Sequence, residues 1–546
     1  MPDTKKNNNT EATSSNMIDV VIVGGGFTGL YMLYRLRESG FSAKVIEAAD
    51  GIGGVWYWNC YPGARCDIEA MQYSYSFSEE LQQEWKWSEI FPTQPEILRY
   101  LNYVADKFDL RKNIELGTQV NAAIFDENHS RWEIHTSRGD RILAKFCVMA
   151  TGCLSVPLIP RIKGLESFKG RHYHTGRWPR TGVNFSDRCV AVFGNGSSGV
   201  QAIPVIAEQA KHLFVFQRTA NFSVPARNKP LESEYEQWWK SNYAEHRKQM
   251  LETITGCLAP GMKNCSAMSV TPEERLQEYE KQWQKGSLNF LGSFNDLVLN
   301  QEANDTAAEF LRNRIREIVK DPVVAKKLLP HGFPLGAKRL CLDTNYFETF
   351  NRNNVTLIDL QQEPIDEITP TGIRIDDKTY EIDDIVFATG FDAFTGALFK
   401  IDIRGRAGKT LRDKWTDGPS TYLGLMTSDF PNLFIMTGLG SPTVFANAPL
   451  CIEQNVDWIT DCLVYLRTNH HETIEPNVEA ENDWSKYVNA VANFTLFSKA
   501  DSWFNGANIE GKPKIFMPYA GGVSTYRKKC QDVVANNYKG FILAEH

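Results

Sequence analysis

The sequence predicts an α/β fold containing two nucleotide-binding units of one kind, with a helical insertion in the second. Three observations lead to this expectation. An apolar run leads into spaced glycines in VIVGGGFTG at residues 21–29, and again in VFGNGSSG at residues 192–199. Each cluster precedes a stretch of helical periodicity and a second apolar run, the order of a strand–helix–strand unit. Later in the chain, residues 226–334 are dense in Glu, Lys, Gln and Trp at helical spacing.

Length and composition set the outer limits. A chain of 546 residues has room for three to four domain-sized units. Its 42% hydrophobic and 23% charged residues suit a globular protein, and a net charge of −7 argues against nucleic-acid or anionic-membrane partners. Eleven cysteines include no pair at zinc-site or CxxC spacing, so no metal is expected, and Cys60 and Cys66 have five residues between them. An odd cysteine count without a signal peptide points to the cytoplasm. Residues 1–16 are polar and are expected to be a disordered tail. No run is long and apolar enough to span a membrane.

In the first unit, residues 18–23 form a buried strand that ends at Gly24, and Gly26 and Gly29 complete the fingerprint. Leu30, Leu33, Tyr34 and Leu36 give the next helix its buried side, and Gly40 stops it. The second strand, residues 43–47, ends at Glu47, 23 positions after Gly24, where an acid can grip a ribose hydroxyl. Gly53 and Gly54 then open VWYWNCYPGARCD, which is poor helix material and suits a backbone lying on a flat cofactor. Residues 120–150 alternate like an antiparallel meander. They end at Ala150-Thr151-Gly152, a strand's carboxyl end, where open α/β sheets hold ligands.

Pro157 and Pro160 mark a crossing to the second unit, whose strand, helix and strand are expected at residues 188–193, 198–210 and 213–216. Arg218 stands 24 positions after Gly194, where the first unit carries its acid. An acid repels a 2′-phosphate, whereas an arginine binds one through two parallel hydrogen bonds. The first site is therefore predicted to take an unphosphorylated dinucleotide and the second NADPH. In the insertion, Thr306 and Glu309 fit a capping box, and Phe310, Leu311, Ile315, Ile318 and Val319 make one buried face. Strands resume at residue 355, a second Ala-Thr-Gly follows at 388–390, and the loop-rich residues 394–546 are expected to complete the first unit.

Two longer motifs lie on this frame. FKGRHYHTGRWP holds Phe168, Gly170, His174, Trp178 and Pro179 at the spacing FxGxxxHxxxW followed by Pro or Asp. Residues 53–67 hold Gly53, Gly54, Trp56, Tyr61, Pro62, Gly63 and Asp67 as GGxWxxxx(F/Y)PGxxxD. With both fingerprints in order, the chain resembles the type I Baeyer–Villiger monooxygenases from about Asp19 almost to its end. It departs at Val55, where that family often has Thr. Flavin monooxygenases acting on nitrogen and sulfur share the fingerprints but typically lack the Trp-Pro ending, so Trp178 and Pro179 discriminate. Flavin disulfide reductases need a different cysteine spacing. A non-catalytic redox-sensing dinucleotide binder would have no use for the charge pair described next.

The resemblance implies a fold of two Rossmann-like domains. Residues 17–155 and 386–546 would bind FAD, residues 156–225 and 335–385 NADP, and residues 226–334 would be the helical insertion. FAD would lie on Gly24, Gly26, Gly29, Glu47, Gly54, Trp56, Asp67, Tyr73 and Val120. NADPH would lie on Gly194, Gly196, Ser197, Ser198, Gly199, Gln201, Arg218, Thr219, Lys338, Arg339 and Trp503. NADPH would reduce FAD, and O2 would form a flavin C4a-peroxide anion that attacks a ketone, giving an ester or lactone with NADP+ and water. Sulfides would be further substrates. That anion needs a cation that keeps its proton, which arginine provides, and the resemblance gives this role to Arg339 with Asp67 orienting it. Cys153, Leu154, Ser441, Pro442 and Thr443 would wall an apolar substrate pocket. Phe168, Gly170, His174, Trp178 and Pro179 would form a hinge with His174 structural, and no obligate protein partner is implied.

Overall fold

The computed structural model describes residues 17–259, 261–436 and 438–545; the expected tail at residues 1–16 lies outside them. Met17–Val23 is a central strand whose Val20, Val21 and Ile22 are fully buried. Both faces are covered, so the strand is apolar throughout instead of alternating. It pairs in parallel with Ala43–Ile46 on one side and Arg141–Met149 on the other. The whole sheet runs Asp402–Arg404, Val120–Asp126, Arg131–Thr136, Arg141–Met149, Met17–Val23, Ala43–Ile46 and Ile114–Glu115, with Leu433–Ile435 beside the end of Arg141–Met149. The expected meander is its antiparallel part.

A second, fully parallel sheet runs Val355–Asp359, His212–Gln217, Cys189–Phe193, Asp384–Phe387 and Arg171–His174. The two fingerprints repeat one geometry. A Cβ on Gly29 would fall 1.9 Å from the Gly24 carbonyl oxygen, and one on Gly199 would fall 2.1 Å from that of Gly194. Only hydrogen fits where each helix, Phe27–Glu38 or Ser197–Gln209, packs against its strand end.

Several expectations change. The boundary expected at residues 385/386 would cut Asp384–Phe387, yet that strand lies wholly in the second sheet, so the return crossing comes after it. The two crossing segments pair: Leu158 N donates to the Gly390 carbonyl at 2.9 Å, and Asp392 N to that of Val156 at 2.9 Å. The stretch 168–179 is not a linker, because Arg171–His174 is the edge strand of the second sheet. A short helix, Val55–Trp58, occupies the glycine- and aromatic-rich run expected to be helix-free, and Gly54 starts it at φ 55°. The helix Gln301–Ile318 is capped by Asn300, whose side-chain oxygen accepts from Glu302 N and Ala303 N. Thr306 lies inside it, bonded back to the Ala303 carbonyl, and caps nothing. The helix Ser233–Leu251 at the start of the insertion packs Trp239, Tyr243 and Met250 into the core of the first unit. Its buried Arg247 donates to the Gln72 carbonyl at 3.0 Å and to Ser74 Oγ at 2.7 Å. Among the described residues, no helix is long and apolar enough to cross a membrane.

The close approach at Gly199 predicts a cost. Gly199→Ala should lower stability by about 1–3 kcal/mol through overpacking, read as a lower urea midpoint at unchanged slope. An unchanged midpoint would contradict the geometry.

Candidate functional site

Asp67 and Arg339 meet where the units face one another. Asp67 closes the loop that follows the first fingerprint, and the neighbouring Cys66 N is fixed on the Pro92 carbonyl at 3.0 Å. Arg339 comes from the other side, just before Cys341–Asp343, which pairs in parallel with Ser223–Pro225. Asn221 Nδ2 donates to the Arg339 carbonyl at 3.2 Å. Arg339 Nε and Nη2 both donate to Asp67 Oδ2, at 3.2 and 2.5 Å, and Nη1 donates to the Val444 carbonyl at 2.9 Å. The Asp67 charge outweighs desolvation and raises the guanidinium's already high pKa. About 30% of the side chain stays accessible. The site thus presents a permanent positive charge with one open face. Asn221 and the Val444 carbonyl were not expected here. Asn221 follows Arg218 closely in QRTAN, but nothing in that run signals a contact with residue 339.

The residues expected on the first dinucleotide gather around its glycines. Gly54 abuts Gly26: a Cβ on Gly54 would lie 3.0 Å from Gly26 Cα. Glu47 is buried and accepts from Gly25 N at 2.5 Å and Ala49 N at 2.7 Å, while burial raises its pKa. Trp56 Nε1 donates to Tyr73 Oη at 3.1 Å, and the Tyr73 hydroxyl proton has no acceptor among the described residues. Val120 contributes no side chain to the site; it is buried in the core and begins its strand near Thr118, whose N–H donates to the Glu47 carbonyl at 2.9 Å.

At the second fingerprint, a Cβ on Gly196 would meet nothing within 4 Å, so the helix N-terminus faces open space. A helix start with free N–H groups suits a pyrophosphate. Ser197 Oγ lies 3.7 Å from Cys341 Sγ, and Ser198 follows in the same first turn. Arg218 and the half-buried Thr219 follow the strand His212–Gln217, and Arg218 is exposed with no hydrogen bond or ion pair among the described residues. The Lys338 ammonium lies 4.7 Å from the Phe333 ring centroid, and burial together with the Arg218 charge lowers its pKa. Two cations close enough to repel, neither with a carboxylate bonded to it, fit a 2′-phosphate. Gln201 is otherwise engaged: its Oε1 accepts from Tyr61 Oη at 2.8 Å and its Nε2 donates to the Arg65 carbonyl at 3.1 Å, docking the loop of the first unit.

The expected pocket wall lies around Arg339, though not all of it faces inward. Half-buried Cys153 feels the Arg339 charge, while burial pushes its thiol up to about 11. Leu154 packs at the edge of the first unit's core. Ser441 and Thr443 are buried and bond to each other at 3.0 Å, so with Pro442 they shape the turn that presents Val444. Trp503 stacks on Phe394 at 5.6 Å, and Phe394 N is bonded to the Cys153 carbonyl at 2.8 Å.

The signature stretch braces this arrangement. Phe168 packs on the core of the second sheet, and a Cβ on Gly170 would fall 2.3 Å from the Asp383 carbonyl oxygen. Trp178 is buried beside Tyr173 and Phe185, followed by half-buried Pro179. His174 Nδ1 accepts from Gly176 N at 2.9 Å, and burial lowers its pKa to about 4. The ring is therefore neutral near pH 7, which fits a structural role.

Comparison with known proteins gives the family and the fold. A family model described as pyridine nucleotide-disulphide oxidoreductase matches residues 21–257. Cys60 and Cys66 are free thiols, the first half-buried and the second buried. The chain is 42% identical over 540 residues to a Baeyer–Villiger monooxygenase of Pseudooceanicola batsensis, covering 98% of this chain and 97% of that protein. It superposes on an oxidized steroid monooxygenase bound to NADP with TM-score 0.92 and 47% identity, covering 97% of this chain and all of the other. It also superposes on OTEMO in complex with FAD and NADP with TM-score 0.93 and 40% identity, covering 96% and 99% of the two chains.

The unpaired cations predict selectivity. Arg218→Ala should weaken NADP+ binding at least about tenfold, the scale of a lost charge-assisted hydrogen bond, and leave NAD+ binding unchanged in fluorescence titrations. Equal losses for both dinucleotides would remove Arg218 from the 2′-phosphate.

Proposed function

Because this chain belongs to the Baeyer–Villiger monooxygenase family, we propose that it is an FAD- and NADPH-dependent enzyme. It inserts one atom of O2 beside a ketone carbonyl and releases an ester or lactone, NADP+ and water. The Asp67–Arg339 pair carries this reading. It is a cation held charged between the two glycine-fingerprint units, and among the described residues its side-chain partners are Asp67 and the Val444 carbonyl.

In this reading FAD is held by the glycines at 24–29, by Glu47 and by the Gly54–Asp67 loop. NADPH is held by the Gly194–Gly199 turn, Arg218 and Lys338. Bound together, the cofactors supply hydride and activated oxygen. The protein's share is positional and electrostatic. Arg339 stabilises the negative charge that develops on oxygen and has no proton to lose near neutrality. Asp67 fixes the plane of the guanidinium and offsets part of its desolvation. The Val444 carbonyl takes a third N–H and leaves the remaining donors for the reacting group. Leu154 and the stacked Phe394–Trp503 pair add apolar surface near this part of the first unit, which favours a ketone with little polar decoration. Sulfide oxidation follows from the same site, since a sulfide needs only an oxygen donor at that position. Eleven cysteines, all free, suit a cytoplasmic setting.

Purified protein supplied with NADPH, O2 and a ketone panel should yield products heavier than the ketone by one oxygen. Oxidation of amines with no ketone converted would overturn the reading. Arg339→Ala should retain flavin reduction by NADPH but lose ester formation about 10²–10³-fold, as when an oxyanion donor is removed. Ester formation near the wild-type rate would take Arg339 out of the chemistry.

A further inference from the structure

A second cleft, of about 450 Å³, opens at the border of the two units, away from the glycine fingerprints. The first unit contributes Cys60 and, from the helix Gln94–Lys107, Leu98, Arg99 and Asn102; the second contributes Pro179 and Arg180 from the end of the signature stretch. Gly53, Gly54 and the short helix Val55–Trp58 separate this cleft from the dinucleotide cradle. On one side Gly54 abuts Gly26, and on the other a Cβ on Gly53 would fall 2.6 Å from Leu98 Cδ1.

The charge in this cleft is one-sided. No carboxylate lines it. Arg99 is exposed and has no hydrogen bond or ion pair among the described residues. Arg180 is held by an aromatic face and a backbone group only: its guanidinium lies 4.2 Å from the Tyr57 ring centroid, and Nη1 donates to the Tyr57 carbonyl at 2.9 Å. Asp106, one turn beyond Asn102, is taken by Arg111. Arg339 and Arg65, also near the unit border, are by contrast paired with Asp67 and Glu89. Two guanidiniums lining one cleft that no carboxylate lines, one of them already fixed in orientation, can form a receptor for a planar or tetrahedral oxyanion. Leu98 and Pro179 add an apolar wall for whatever carries it.

We propose that this cleft binds a small organic anion bearing a phosphate or carboxylate group, gripped by Arg99 from one unit and Arg180 from the other. An occupant bridging both units ties its affinity to their relative placement, and reciprocally.

Calorimetry on FAD-loaded protein saturated with NADP+ tests this, because the dinucleotide phosphate positions are then filled. The NADP+ titration needed for saturation reports separately on the dinucleotide sites, and the cleft does not depend on the oxygenation chemistry. Sodium pyrophosphate and citrate are titrated separately at fixed ionic strength. One saturable site per chain is expected for at least one of them, weakened about tenfold or more in Arg99→Ala and Arg180→Ala. Tighter pyrophosphate binding identifies a phosphate ester, and tighter citrate binding a carboxylate. Arg99→Ala removes no hydrogen bond or ion pair among the described residues, so a folding defect in Arg180→Ala does not blunt the test. Arg141→Ala, a surface arginine paired with Glu133, should bind like wild type. Absence of saturable uptake of either anion, full affinity in Arg99→Ala, or an equal loss in Arg141→Ala would each overturn the proposal.

Discussion

The carboxylate of Asp67 and the guanidinium of Arg339, 272 residues apart in the chain, form the contact on which the arrangement depends. Neither group can be placed alone. A guanidinium drawn this far from water without an acid would lose several kcal/mol of hydration, and an orphaned carboxylate would do the same. The loop of the first unit and the return segment of the second must therefore arrive together. Much of the border serves that meeting: Gln201 clasps the Tyr61–Arg65 loop, Asn221 holds the Arg339 backbone, and the 441–444 turn supplies the last acceptor.

The signature stretch takes on a different meaning in this light. As the edge strand Arg171–His174 and the turn after it, it is built into the second unit and braces the first. Arg177 lies 4.2 Å from the Trp58 ring centroid and donates to the Ser155 carbonyl at 2.9 Å. Trp178 N donates to the Trp58 carbonyl at 3.4 Å. The segments that cross between units are instead residues 156–158 and 390–392, which are paired with each other. Asn508 Nδ2 bonds the Phe391 carbonyl at 2.9 Å and Lys512 Nζ bonds Asp392 at 2.8 Å, so the segment that carries Trp503 is fastened to the crossing.

What could be read from the sequence was what local rules govern. The central strands were evident because a doubly covered strand is apolar at every position, and both glycine turns because only hydrogen fits there. The contrast between Glu47 and Arg218 was visible because each ends a strand at nearly the same offset. Asp67 and Arg339 came from motif resemblance, since no spacing links residues so far apart. The rest depended on tertiary contacts. RHYH has no apolar run because an edge strand buries little, so its place in the second sheet could not be seen. The helical spacing of residues 226–334 was visible, but not that Trp239, Tyr243 and Met250 would be buried by the first unit. Asn300 outcompeted Thr306 as a cap because Thr306, lying within the helix, bonds back to it.

A crystal structure of the protein with FAD and NADP+ tests the central claim most directly. The flavin ring should lie against the Arg339–Asp67 pair, with the adenosine 2′-phosphate within hydrogen-bond distance of Arg218 and Lys338. A flavin ring remote from Arg339, or a 2′-phosphate held by other side chains, would contradict the account.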